Sequence, residues 1–215
     1  MSLEQLIAHP KTWLKSNALW PSGQLNVMAK GQPDVFKAGS AQEGSRVWPV
    51  QLRTLNGVEC KRSDGTALPC WELAYGGMST FAYYLPWVPN SSRSMILGDK
   101  ADLFITDTMN GCTFAYAPGG LMRVAHVNFN TFNDEGVREE GKPIDQPHMN
   151  SEVNRLIGHG AIGLRKAQYV TDNFPNVTVI GVRKNGVWKF VYQKRDYVGT
   201  ARVKSYRYKS VHTIR

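Results

Sequence analysis

One stretch of this chain combines residue types able to do covalent chemistry: Thr106-Asp107-Thr108-Met109-Asn110-Gly111-Cys112, with His126 fourteen positions beyond the cysteine. A thiol becomes a strong nucleophile once ionised, and an imidazole within hydrogen-bond reach can lower its pKa and take its proton. The spacing predicts a strand that ends near Thr106, a tight Asn110-Gly111 turn, and a returning strand that opens at Cys112. Gly111 lets backbone approach closely, so the thiol and nearby amide N–H groups could converge on one spot. The Pro118-Gly119-Gly120 turn then brings the His126 strand alongside. With that turn centred near Gly119, Cys112 and His126 are expected almost directly opposite, where Cβ atoms lie about 4.5–5.5 Å apart. On spacing alone, a small buried cysteine and a satisfied core histidine are the commoner reading of such residues.

Other chemistries lack their residues. Cys60 and Cys70 are separated by nine residues with no partner nearby, and His148 and His159 lie eleven apart, so neither a metal site nor a cofactor is expected. There is no phosphate-binding loop and no Gly-x-Ser-x-Gly elbow. Gly158-His159-Gly160-Ala161-Ile162-Gly163 matches the dinucleotide-binding glycine pattern literally. It falls inside a helical period with no acid about 20 residues later, so small residues packing a helix against a sheet are expected there instead. Three cysteines allow at most one disulfide and leave at least one thiol over.

The elements that must position these residues are mostly strands. Leu3, Leu6, Ile7, Trp13 and Leu14 recur near helical spacing with Ser2 as cap, interrupted by Pro10. Between Pro21 and Ser45, only short strands such as Gln24–Ala29 fit. Several short strands are expected from Arg46 to Trp87, then at Ala101–Ile105, Cys112–Ala117 and Leu121–Phe129. A polar loop (Asn130–Asn150) precedes a helix over Glu152–Tyr169 with Ser151 as its cap. Asn185-Gly186 predicts a hairpin over Val177–Arg195, pairing Arg183 with Trp188, Gly181 with Phe190 and Val179 with Tyr192. Arg202–Thr213 suits a charged edge strand. The fold class expected is α+β, a sandwich of mixed β-sheets flanked by helices, forming a single domain over residues 1–215.

Composition narrows the partners. Hydrophobic residues make up 42% of the 215, enough for a core, and no apolar run reaches the roughly 18 residues that a membrane span needs. The net charge of +9 is concentrated at the carboxy-terminal end. Residues 183–215 hold ten of the 26 Lys and Arg but only one of the 17 acids, so residues 1–182 balance. That segment suits nucleic acid, an acidic protein or an anionic surface, and equally a solvated face. Tyr206 and Tyr208 interleave with its basic residues, a mix able to stack bases and neutralise phosphates.

Thr106, Gly111-Cys112 six positions on, and a histidine on the following strand resemble the active-site pattern of bacterial glutamine deamidase toxins. The similarity is to the Burkholderia lethal factor and the catalytic domain of cytotoxic necrotizing factor, and more distantly to the chemoreceptor deamidases. It covers about 20 residues around the site. Asn110 stands where the family usually has serine. The resemblance implies a sandwich of mixed sheets with flanking helices. It assigns Cys112 as nucleophile, His126 as its acid–base partner and Thr106 as the group that orients His126. It further implies a toxin or effector that leaves the bacterial cytoplasm, acts in the host cytosol and deamidates one glutamine of a host protein. Family members modify small GTPases or a translation-initiation helicase. A monomer without a membrane span is expected. The same thioester chemistry would serve a transglutaminase or a cysteine protease, and a non-enzymatic basic binding module is the third alternative.

Overall fold

A computed structural model of the chain describes residues 2–30, 46–89, 91–119, 121–129, 146–169, 174–200 and 203–215. The larger of two sheets has nine strands: β1 (Ala18–Pro21), β2 (Val47–Thr54), β3 (Val58–Lys61), β4 (Cys70–Tyr75), β5 (Phe81–Leu85), β7 (Leu103–Thr106), β11 (Phe174–Lys184), β12 (Val187–Tyr197) and β13 (Lys204–Thr213). Their order is β1-β4-β2-β5-β7-β11-β12-β13-β3. It is a mixed sheet, parallel at β1/β4, β5/β7 and β13/β3. The second sheet is antiparallel, in the order β10-β8-β9-β6, from β6 (Ser91–Leu97), β8 (Thr113–Ala117), β9 (Met122–Asn128) and β10 (Ile162–Leu164). Among the described residues, strands outweigh five short helices: α1 (Leu3–Ala8), α2 (Pro10–Ser16), α3 (Gly23–Lys30), α4 (Gln146–Ile157) and α5 (Lys166–Tyr169).

Local chemistry explains the best-defined element. Asn185 and Gly186 take φ values of 50° and 79°, the geometry of a two-residue turn whose twist matches its strands. The β11–β12 register follows, with Arg183 opposite Trp188, Gly181 opposite Phe190 and Val179 opposite Tyr192, as expected. Gly181 is needed for space. A Cβ there would lie 2.7 and 2.9 Å from Phe190 ring atoms and 3.2 Å from the Phe104 Cβ. Phe190 cannot swing aside, because Phe104, Phe114 and Tyr116 surround it with ring centroids 5.8, 5.4 and 4.6 Å away. Gly181→Ala is therefore expected to cost about 1–3 kcal/mol, seen as an earlier midpoint in urea unfolding. An unmoved midpoint would mean that the ring has slack.

That aromatic cluster fills the space between the sheets, since Phe104 comes from the large sheet and Phe114 from the small one. The small sheet's other face packs Ala115, Ala125 and Val127 against Met149, Val153, Leu156 and Ile157 of α4. At the amino terminus, Ser2 caps α1 in a reciprocal capping box with Gln5, and Pro10 opens α2.

Four expectations about the elements need correction. Gln24–Ala29 is helical, within α3, because Leu25 and Ala29 bury one face at four-residue spacing and the Ser22 hydroxyl accepts the Leu25 N–H at 3.3 Å. Helix α4 starts at Gln146, so Ser151 lies inside it. It ends at Ile157 because Gly158 turns left-handed at φ 95°. The glycine-rich 158–163 segment thus links a helix to strand β10, the reverse of the strand–turn–helix order that a dinucleotide site needs. Lastly, β13 is not an edge, since β3 pairs with it in parallel and takes the outer position. The remainder of the polar loop, residues 130–145, lies outside the described residues.

Candidate active site

Two of the core strands end side by side. Strand β7 stops at Thr106 and β5, parallel to it, at Leu85. Beyond Thr106 the chain reaches β11, where Met109 and Val177 exchange backbone hydrogen bonds of 2.8 and 2.9 Å. It then bends through Asn110 and Gly111 into β8. The Asn110-Gly111 bend is therefore not a hairpin turn, as the spacing suggested. It carries the chain from the nine-stranded sheet into the four-stranded one, with Cys112 at the crossing.

Thr106, Cys112 and His126 are all buried. Their mutual register differs from the expected one. Phe114, not Cys112, stands opposite His126 in the β8–β9 pairing. The loop after Ala117 uses two more residues than a turn centred at Gly119 would, because Ala117 pairs with Arg123. A shift of two keeps both residues on the same face, towards the large sheet, but makes them diagonal neighbours. Such positions lie about 7–8 Å apart between Cα atoms. Among the described residues, neither ring nitrogen of His126 has a hydrogen-bond partner. The Thr106 hydroxyl donates to the Asp107 carbonyl at 2.8 Å instead of to His126.

Electrostatics at the sulfur are a contest. Burial pushes the Cys112 thiol up to about 12, and the Asp107 charge adds to this. Hydrogen bonding from the backbone at Asn110 and Cys112 and from the Trp87 side chain acts the other way, favouring thiolate. Burial wins, so the expected activated thiolate is replaced by a neutral thiol that is 1% exposed. Burial likewise presses His126 down to about 4, leaving a neutral imidazole at pH 7. Both burial shifts act against a thiolate–imidazolium pair in this resting geometry.

Residues that spacing could not reveal complete the surroundings. The Tyr169 hydroxyl, wholly buried in α5, donates to the Cys112 carbonyl at 2.6 Å. Backbone hydrogen bonding from Gly111 reaches the same phenol, so Tyr169 clamps the bend from both sides. Asp107 also faces the Tyr84 phenol of β5, whose pKa rises well above its ordinary value through burial first and that charge second. Trp87 and Tyr84 arrive through the parallel β5–β7 pairing and Tyr169 from fifty-seven residues away. Only Asp107, inside the motif itself, carried a sequence signal.

The bend meets solvent at Asn110. This exposed residue lines a pocket of about 350 Å³ with Pro175, Asn176, Tyr197 and Tyr206. Among the described residues no group of His, Cys, Asp and Glu could hold a metal ion, and no helix is long and apolar enough to cross a membrane. Cys60, Cys70 and Cys112 are free and buried. No known protein-family description and no curated protein sequence matches the chain.

Proposed function

We propose that this chain is a protein-glutamine deamidase with Cys112 as nucleophile, His126 as acid–base partner and Thr106 as a positioning residue. One observation carries the reading. A thiol under several converging N–H donors shares a strand face with an imidazole whose two nitrogens are both unspent. Burying a polar ring without partners is costly, about 1–3 kcal/mol for each unsatisfied group. A fold selected for stability alone would place an apolar side chain there. An imidazole kept free beside a sulfur is suited to accept a proton when substrate arrives.

The chemistry follows from these groups. A glutamine side chain enters beside Asn110 and admits water and polar atoms to the buried layer, which relieves the desolvation that keeps both groups neutral. His126 takes the thiol proton, and the Cys112 sulfur bonds to the carboxamide carbon as the C=O π pair moves to oxygen. Backbone N–H groups at the bend hold the oxyanion, each worth about 3 kcal/mol. The C–N bond breaks, His126 returns its proton to the leaving nitrogen, and ammonia departs from a thioester. Water, deprotonated by His126, then splits the thioester into a glutamate side chain and the free thiol.

The similarity to the deamidase toxins supports the same assignment and extends it. The fold is read as an α+β sandwich flanked by helices, and the protein as a single-domain toxin or effector. It would leave the bacterial cytoplasm and modify a host protein, a small GTPase or a translation-initiation helicase, in the host cytosol. The test is ammonia release from glutamine-bearing proteins, with a mass gain of about one unit at the modified residue. Absence of both from every candidate substrate overturns the proposal. Preferential incorporation of a labelled amine would assign the same thioester to transglutamination.

A further inference from the structure

The basic charge of the carboxy-terminal segment is partly spent inside the fold. Arg195 is fully buried and gives its guanidinium hydrogens to Asn176, Thr178, Gln193 and the Leu19 carbonyl. Two of the segment's outer cations, Arg207 and Lys209, line one groove together with Lys61 and Arg62. Parallel pairing of β13 with β3 sets Arg207 beside Lys61, and a cleft of about 550 Å³ opens there, lined by Lys61, Arg62, Arg207 and Lys209 with Ser205 and Tyr206. Among the described residues no carboxylate lines this cleft. Glu59 holds Lys61 at 3.1 Å and Asp196 holds Lys209 at 3.1 Å, while nearby Asp64 accepts the Thr66 N–H at 2.8 Å. Arg207 has no acidic partner among the described residues. Arg62 gives one N–H to the Lys15 carbonyl at 2.7 Å and keeps its other donors.

We propose that this groove docks an acidic segment of the protein substrate and feeds the adjoining glutamine to the bend at Cys112. The inference rests on the deamidase reading and adds a substrate class: glutamines flanked by Asp and Glu. Tyr206 makes the connection, since it lines both this groove and the pocket at Asn110. The same ring argues for peptide over nucleic acid. It is engaged by Trp20 at 5.2 Å and Tyr197 at 5.3 Å, and Tyr208 packs half-buried against the core. Neither tyrosine is free to stack a base, as single-stranded recognition requires. Clustered cations with hydroxyls suit carboxylates.

The experiment uses Cys112→Ser protein, so that substrate is bound and not consumed, and a labelled short peptide of glutamates around one glutamine. Binding is expected, weakened by salt, and at least about tenfold weaker when Lys61→Gln and Arg207→Gln are added. Equal binding by the groove variant, or equal binding of a lysine-flanked peptide, overturns the proposal. So does tighter, groove-dependent binding of a single-stranded oligonucleotide, which would make the groove a nucleic-acid site. Ammonia release by native protein separates the two readings. Release at equal rates from acidic and neutral glutamine peptides overturns the docking alone. Groove-dependent binding with no release from any peptide supports the docking and overturns the deamidase assignment.

Discussion

Cys112→Ser is expected to reduce ammonia release from glutamine substrates by about a thousandfold or more, with the fold retained. Serine fits the space of cysteine, and its hydroxyl is placed where hydrogen bonding from Asn110, Cys112 and Trp87 already converges. The new oxygen is therefore buried with partners at hand, which avoids most of the cost of burying a hydroxyl. An unaided alkoxide is much harder to form than a thiolate, so the first step stalls. Two measurements are needed together: ammonia release, and circular dichroism through a thermal melt. A variant that melts normally yet deamidates at the native rate would remove Cys112 from the chemistry.

His126→Leu should separate function from stability with opposite signs. In the unfolded chain the imidazole gains its proton near pH 6.5, while in the folded protein it does so only near about 4. Between those values the unfolded state holds more protons, so native stability falls as the pH drops through that window. The depression corresponds to about 3 kcal/mol, fully lost below about pH 4. Leucine has no such linkage and leaves no unpaired ring nitrogens. Urea unfolding at pH 7, 5 and 4 should show a shallower acid decline for the variant than for the native protein, while ammonia release is abolished. An acid decline identical to the native one would show that His126 is hydrated and titrates freely. A stabilised variant with full activity would make the imidazole ordinary core filler.

Much of the local structure was legible because its causes are local. The Asn185-Gly186 pair dictates its own turn, and the turn dictates eleven strand pairings from Lys184 with Val187 to Phe174 with Tyr197. The alternation in 121–129 divides Val124 and His126 from Ala125 and Val127, and the structure packs Val124 into the core between the sheets and Ala125 and Val127 against α4. The six-residue step from Thr106 to Cys112 and the strand after it located the candidate site. Register across the 118–122 connection was beyond reach by one turn's worth of detail. Sequence shows that Pro118-Gly119-Gly120 bends the chain, but how many residues the bend consumes is fixed by what the two strands bury.

The sequence by itself determined which strands and bends would carry the thiol, the threonine and the imidazole, because short turns and alternating patterns act over a few residues. Only the tertiary structure decided the state of those groups. The sulfur is covered by the meeting of two sheets and surrounded by Trp87, Asp107 and Tyr169. The last of these donates a 2.6 Å hydrogen bond to the Cys112 carbonyl from fifty-seven residues away. Whether a cysteine rests as thiol or thiolate depends on solvent exclusion and on dipoles brought in from distant segments, and those are properties of packing, not of spacing.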